Sequence, residues 1–210
     1  VFGEQYVLIE RPSPQYMSNA HISYIHSALD GALKALKSGD YNEISKYIDV
    51  QSFVRWYLIE EFMNNPEASF GTNVYLYLPP GGKLTMGPVW SFDGSAGNSN
   101  SNVDPTGTPL YNHPIFNNLF KTAQAKNMLK TEWARLKPIA NNLGSYIDKG
   151  AAMLKVSQDL NFKRWNILSK PIGTNPAVVV QANTYSKQVA YLKEYLNKRI
   201  PALDGFYSKL

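Results

Sequence analysis

Apolar side chains recur every three or four positions in the first third of the chain, which is the spacing of one face of an α-helix. The first such segment runs from Ser18 to Leu36 and precedes Gly39, a residue suited to the left-handed turn that ends a helix. The second segment starts after Asp49, a typical N-cap residue, and stops before Pro66. The pattern therefore predicts two helices in this part of the chain.

A hairpin pattern and a polar stretch follow. Residues 73–78 alternate as a strand does, Pro-Pro-Gly-Gly at 79–82 forms a turn, and residues 83–92 return as a second strand. Of the 20 residues from Gly94 to His113, 15 are Gly, Ser, Asn, Asp, Pro or Thr. Loops of this length inside a compact domain are usually functional or disordered. Residues 94–113 are therefore predicted to form a long polar loop.

Helical spacing resumes after the polar loop. It predicts helices over residues 115–143, 145–165 and 185–209, with a break in the first of these at Pro138. Near the start of the chain, Tyr6 to Ile9 is typical of a short strand. Together these segments predict an α+β fold that is mainly α, a helical bundle with one small β-hairpin.

Composition excludes several classes of function. The 210 residues include no cysteine, so disulfides, thiolate metal sites and a cysteine nucleophile are ruled out. The net charge of +5 comes from scattered basic residues, which argues against nucleic acid as a partner. No run of about 18 apolar residues is present, so no segment is predicted to span a membrane.

The aromatic residues are predicted to serve the core. All four tryptophans lie on periodic apolar faces: Trp56, Trp90, Trp133 and Trp165. Large aromatic side chains at such positions are usually buried, so each tryptophan is predicted to be core rather than a platform for a sugar. His113, at the end of the polar loop, is predicted to be a surface residue.

The most specific pattern lies between Tyr47 and Asn98. Residues 81–93, GGKLTMGPVWSFD, resemble the GGKLKMGPVWDFD motif of the spore-coat-protein-H (CotH) kinase family. Residues 47–54, YIDVQSFV, and residues 60–65, EEFMNN, resemble the YIDVDSFV and NELFKN segments of the same family. Weaker matches continue to the C-terminal helix, so the resemblance covers nearly the whole chain.

The resemblance implies a fold and an activity. CotH proteins are similar to the C-terminal lobe of protein kinases and act as atypical Ser/Thr kinases that use ATP with Mg²⁺ or Mn²⁺ on a protein acceptor. It implies that residues 1–210 are a single C-lobe and that residues 1–14 end an N-lobe or linker missing from this sequence. It also implies a bacterial protein that is extracytoplasmic, either secreted or on the cell surface.

This chain departs from the family at the two positions that carry the chemistry. The family's metal-holding Asp is replaced by Ser91, whose neutral hydroxyl cannot offset the charge of Mg²⁺ as a carboxylate does. Asp93 is the carboxylate that remains, and a strand extended through Phe92 would place it on the same face as Ser91. The family's catalytic Asp is also missing, and Glu67 is the nearest acidic substitute.

Two functions stay open at this point. The first is a CotH-like kinase whose catalysis is weakened, or a pseudokinase whose catalysis is lost. Its cofactors would be ATP and a metal ion, or it would have none. In it Asp93 would hold the metal, Glu67 would orient the acceptor hydroxyl, and Ser91 and Asn98 would contact the nucleotide. The alternative is a non-catalytic extracellular scaffold or binding module that keeps the fold and takes a glycan or a protein partner.

Overall fold

The computed structural model describes residue 9, residues 14–71 and residues 73–210. In these residues the chain is mainly helical and has one two-stranded antiparallel sheet, which confirms the predicted class. Residues 6–8 of the strand predicted at 6–9 lie outside the described residues. Within the described part of the chain, every helix is too short or too polar to cross a membrane.

The elements follow one another in a simple order. They are a 3-10 turn Pro14–Tyr16, α1 Asn19–Ser38, α2 Tyr41–Tyr47, α3 Val50–Met63, a 3-10 turn Pro66–Ala68, β1 Leu76–Tyr77, β2 Thr85–Met86, α4 Pro114–Leu119, α5 Ala123–Asn141, α6 Leu143–Met153, α7 Lys155–Arg164, α8 Ala177–Gln181 and α9 Tyr185–Tyr207. In the sheet, Leu76 is opposite Met86 and Tyr77 is opposite Thr85.

The helix signals in the first third of the chain are confirmed. Ser18 caps α1, and its hydroxyl accepts a hydrogen bond from the His21 amide at 3.3 Å. Gly39 ends the same helix at φ 69°. The side chain of Asp49 caps α3 by accepting from the Ser52 amide at 3.2 Å. The sequence reading missed α2, because seven residues are too few to display a helical period.

Two predicted helices differ from the observed ones in where they break. Pro138 lies inside α5 without interrupting it, so the predicted break there is wrong. Pro138 lies in the last turn of α5. The backbone hydrogen bond that a proline cannot donate is therefore lost close to the end of the helix, where few further bonds depend on it. The chain instead breaks before α5, where the Thr122 hydroxyl accepts from the Ala125 amide at 3.3 Å. The helix predicted over 145–165 is divided at Leu154 into α6 and α7.

The hairpin is shorter than predicted, and its second strand ends well before Phe92. Only two residue pairs form the sheet, although the Gly87 amide still donates to the Tyr75 carbonyl at 2.7 Å. Pro88, which follows Gly87, has no amide hydrogen with which to continue the pairing. Ser91 then adopts φ 62°, which is incompatible with a strand. The prediction of an extended strand through Phe92 is therefore wrong.

The core is built around α3. Phe53, Trp56 and Tyr57 of this helix all pack against Phe116 of α4, with ring centroids 5.1 to 6.4 Å apart. Helices α5 and α9 and strand β2 pack on the other sides of α3. Trp56 and Trp133 are each 4% exposed, which confirms their predicted burial.

Trp90 and Trp165 are surface residues, so their predicted burial is wrong. Trp90 is 44% exposed, and its indole N–H donates to the Asn73 carbonyl at 2.8 Å. The apolar alternation that predicted burial of Trp90 does not apply, because the strand has already ended before this residue. Trp165 is 55% exposed just beyond α7, and Arg164 stacks over its ring at 5.1 Å. His113 is half-buried and stacks on Phe70, so it is only partly a surface residue.

The polar loop 94–113 contains neither helix nor strand, as predicted, yet it is firmly packed. The Ala96 amide donates to the Met63 carbonyl at 2.7 Å. Asn102 donates from its amide nitrogen to the carbonyls of Asn64 and Gly94, both at 2.8 Å. The hydroxyl of Tyr195 on α9 donates to the Asn102 carbonyl at 2.6 Å. The loop is therefore held between the end of α3 and α9.

Candidate functional site

Two segments meet at the place where the site residues were predicted. The turn Pro66–Ala68 follows α3 and carries Glu67, while Ser91 and Asp93 follow β2. Asn65 starts the turn, because its side-chain oxygen accepts from the Glu67 amide at 3.2 Å. Gly94 lies directly beside this turn, so close that an added Cβ would be 3.6 Å from Pro66.

The structure brings Glu67, Ser91 and Asp93 together. The Ser91 hydroxyl oxygen lies 3.2 Å from Glu67 Oε2 and 3.4 Å from Asp93 Oδ1. Glu67 Oε2 also accepts a hydrogen bond from the side-chain amide of Asn73. Because a hydroxyl has one proton, Ser91 donates to one carboxylate at a time. We call this group of three residues the acidic cluster. Glu67 and Ser91 are half-buried and Asp93 is exposed, so the cluster opens to solvent.

Asn98, the fourth predicted site residue, fixes the backbone next to the acidic cluster. Its side-chain nitrogen donates to the Asp93 carbonyl at 2.7 Å, and its side-chain oxygen accepts from Asn175 at 2.8 Å. Both ends of the Asn98 amide are therefore used within the protein. Asn98 contributes to the site by holding Asp93 in place.

The backbone around the acidic cluster is strained. Among the described residues, the non-glycine positions with positive φ are Asn64 at 48°, Phe70 at 60°, Ser91 at 62° and Ala96 at 51°. All four fall in the 33 residues from Asn64, which ends α3, to Ala96, the third residue of the polar loop. Such conformations cost roughly 1–3 kcal/mol each and persist where the surroundings enforce them, as they do at active sites. This strain has no signature in the sequence, since Phe, Ser and Ala are not typical of left-handed positions.

The donors of the acidic cluster suit one kind of metal site. Among the described residues there is no group of three or more His, Asp and Glu side chains that could enclose a metal ion. Glu67 and Asp93 offer two carboxylates and Ser91 offers a hydroxyl. Mg²⁺ is commonly held by one or two carboxylates and completes its shell with water and phosphate oxygens. The residues therefore fit Mg²⁺ bound together with a phosphate group.

A buried charge pair fixes the end of α3 below the site, and sequence reasoning missed it. Arg199 of α9 and Glu61 of α3 are both fully buried, with Nη2 and Oε1 3.4 Å apart. Arg199 also donates to the carbonyls of Glu61, Phe62, Pro105 and Gly107. A cation at the C-terminal end of a helix is favoured by the partial negative charge of the last carbonyls. Arg199 therefore ties the end of α3 to the polar loop.

Two adjacent carboxyl groups at the end of α3 have unusual pKa values. Burial raises the pKa of Glu60 to about 7, and a hydrogen bond from Asn65 opposes this only in part. Burial likewise raises the pKa of Glu61 to about 7, against the effects of Arg199 and of the Tyr111 amide. For both groups the cause that dominates is the removal of the carboxylate from water.

The raised pKa of Glu60 makes stability depend on pH. A folded pKa of about 7, against 4.5 for the free side chain, means that the folded state binds the proton more tightly. The contribution of Glu60 to the free energy of unfolding is therefore complete below pH 4.5 and is lost as pH rises through about 7. We expect Glu60→Gln to flatten this decline in the free energy of unfolding, measured by urea denaturation across that range. Glu61 contributes in the same direction and leaves a residual slope.

Glu194→Gln is the control for this prediction. Glu194 is exposed on α9 and pairs with Lys198, so its loss is expected to leave the slope of stability against pH unchanged. Parallel curves for Glu60→Gln and the unmodified protein would contradict the assignment of the pH dependence to Glu60.

The chain was compared with known families and proteins. The profile of the CotH kinase protein family matches residues 2–203, nearly the whole chain. The chain belongs to the CotH kinase family. No curated protein and no solved structure gave a match. The membership confirms the resemblance drawn from residues 81–93, and it makes this chain a kinase-related domain whose acidic cluster departs from the family motif at Ser91.

Proposed function

We propose that this CotH-family chain is the helical lobe of an atypical Ser/Thr protein kinase whose catalytic site has been weakened. The observation that carries the proposal is the acidic cluster, in which one hydroxyl lies within hydrogen-bond distance of two carboxylates from separate segments. The strained backbone at Ser91 supports the same view, since strain of this kind collects at functional sites.

Each residue has a role in this proposal. Asp93, the exposed carboxylate, holds Mg²⁺ or Mn²⁺, and the metal neutralises charge on the phosphates of ATP when it is bound. Glu67 accepts a hydrogen bond from the acceptor Ser or Thr and takes up its proton. Its 3.2 Å contact with the Ser91 hydroxyl supports this role, because a carboxylate at that distance can receive a proton from a hydroxyl. Asn98 keeps the backbone of Asp93 in position.

Ser91 accounts for the weakened site. It brings no charge to a place where the family has a carboxylate, and its own hydroxyl competes with the acceptor for Glu67. The rest of the nucleotide site would come from an N-lobe, which the resemblance to the family implies. An extracytoplasmic setting and a protein acceptor belong to the same proposal and rest on family membership.

Restoring the family's carboxylate is the sharpest test. We expect Ser91→Asp to raise phosphoryl transfer by about tenfold or more, since a second carboxylate strengthens metal binding at the phosphates. Asp is among the residues that tolerate the left-handed backbone found at position 91. The measurement is transfer from labelled ATP to a Ser-rich protein by the full parent protein with Mg²⁺ or Mn²⁺.

Ser91→Ala serves as the matched control, because it removes the competing hydroxyl without adding charge, and any gain from it is expected to be smaller than that of Ser91→Asp. Glu67→Gln and Asp93→Asn are each expected to abolish the transfer. Absence of transfer by both the unmodified protein and Ser91→Asp would overturn the proposal, as would activity that survives both amide substitutions.

A binding role is the second candidate, and the exposed aromatic surface of the hairpin favours it. Tyr77 is 61% exposed and Trp90 44% exposed, and Trp90 packs against Tyr75 with ring centroids 5.4 Å apart. Exposed aromatic side chains suit contact with a glycan or a protein. Calorimetry against nucleotides and a glycan panel separates the two candidates. Glycan heat that is lost in Trp90→Ala, without nucleotide heat, would favour binding.

A further inference from the structure

A cleft of about 350 Å³ adjoins the acidic cluster without including any of its residues. It lies between the end of α3, the turn Pro66–Ala68 and the second half of the polar loop. Its walls are formed by Glu60, Glu61, Asn64, Asn65, Pro66, Ser69, Ser101, Asn102, Pro109, Leu110, Asn112 and His113. This volume is at the small end of the range for ligand pockets, so it suits a small molecule.

Glu60 is the unusual side chain of this cleft. It is only 2% exposed although it lines the cavity. Its Oε2 atom accepts a hydrogen bond from Asn65 at 2.8 Å, whereas its Oε1 atom has no hydrogen-bond donor among the described residues. Among the described residues, the buried side-chain atoms that have no hydrogen-bond partner are Trp56 Nε1 and Ser95 Oγ, so Glu60 Oε1 is not sealed off from the cleft. The cleft therefore presents a carboxyl oxygen that a ligand can pair.

In the part of the chain that the structure describes, no cation pairs with Glu60. None of the residues that line the cleft is lysine or arginine. The buried Arg199 donates to four carbonyls and to the Glu61 carboxyl group. Burial lowers the pKa of His113, which keeps this side chain neutral near pH 7. A positive charge that complements the ionised form of Glu60 would therefore come from a ligand.

The cleft is also unsuited to a metal ion. Its second carboxylate, Glu61, is already engaged by the Arg199 guanidinium and by the Tyr111 amide at 2.8 Å, so Glu60 alone is left to offset the charge of a metal. An organic cation needs fewer charged partners than a metal does. An ammonium group has three donors to share among one carboxylate and neutral oxygens. Ser69, Ser101 and Asn112 provide such oxygens, and Pro109 and Leu110 provide an apolar wall.

We propose that this cleft is a binding site for a small molecule that carries a protonated primary amine, with Glu60 as its counter-ion. The proposal stands apart from the kinase activity, since none of the three acidic-cluster residues takes part. The two sites are nevertheless joined by Asn65. Its side-chain nitrogen donates to Glu60 and its side-chain oxygen accepts from the Glu67 amide, so an occupant at Glu60 contacts the residue that holds the turn of Glu67.

The test uses amines with matched uncharged analogues. Isothermal titration calorimetry of the 210-residue chain is run with butylamine against 1-butanol and with glucosamine against glucose. We expect butylamine, glucosamine or both to bind at least about tenfold more tightly than the matching uncharged analogue, since charge pairing in a buried site dominates. Binding of butylamine alone indicates an aliphatic amine, and binding of glucosamine alone indicates an amino sugar.

Glu60→Gln identifies the counter-ion. This change keeps the size of the side chain and is expected to reduce amine affinity about tenfold or more, while the exposed Glu194→Gln leaves it unchanged. Affinity is also expected to rise as pH passes upward through about 7, because Glu60 then ionises. If Glu60→Gln does not fold, the comparison of each amine with its uncharged analogue on the unmodified chain still decides whether the cleft selects a charged amine. Equal binding of amine and analogue, or full amine affinity in a folded Glu60→Gln, overturns the proposal.

Discussion

Replacing Arg199 with methionine is expected to lower the free energy of unfolding by about 3–5 kcal/mol. The guanidinium is fully buried and binds carbonyls of α3 and of the polar loop, as well as the Glu61 carboxyl group. Methionine fills much of the same space but leaves these acceptors without a donor in a dry environment. The loss is measured from urea denaturation as a shift of the midpoint.

Lys198→Met is the matched control for this change. Lys198 precedes Arg199 on the same helix, but it is 59% exposed and its ion-pair partner among the described residues is Glu194. Removing such a pair costs about 0.5 kcal/mol or less. A loss below about 1 kcal/mol in Arg199→Met would show that the buried pair does not hold α3 to the polar loop, since truncating one partner of such a pair normally costs several times more.

Gly97→Ala is expected to cost about 2–3 kcal/mol and to detach the polar loop from α9. Gly97 adopts φ 79°, which disfavours any side chain, and an added Cβ would lie 2.6 Å from the ring of Tyr195. The same change disturbs the hydrogen bond from the Tyr191 hydroxyl to the Gly97 carbonyl, now 3.0 Å long. Faster amide hydrogen exchange over residues 94–104, together with the lower midpoint, is the measurement.

Gly107→Ala provides the comparison within the same loop. A Cβ at Gly107 would meet its nearest atoms at 3.9 Å, which is an ordinary contact. We expect this change to alter stability by about 0.5 kcal/mol or less, as is usual for a substitution at an unstrained position. Equal losses in Gly97→Ala and Gly107→Ala would contradict the argument from close packing against α9.

These predictions depend on contacts between residues far apart in the chain. The Asn64 side chain donates to the Tyr195 hydroxyl at 2.7 Å, and Arg199 pairs with Glu61 across a similar stretch of sequence. Neither pair has a local signature, because residues on different helices show no fixed spacing. For the same reason the free carboxyl oxygen of Glu60 could be found only once its neighbours were known.

What the sequence determined by itself is local. Capping residues and apolar spacing were enough to predict α1, α3 and α9, because each depends on side chains within a few positions of one another. The motif at residues 81–93 was enough to indicate the family and to point to Glu67, Ser91 and Asp93 as one site.

The tertiary structure decided the rest. It ended the second strand early, turned Ser91 into a left-handed conformation and placed its hydroxyl between two carboxylates. It left Trp90 and Trp165 on the surface, where apolar spacing had predicted burial. Burial and backbone strain are set by what packs against a residue, and for these residues that is determined by segments distant in sequence.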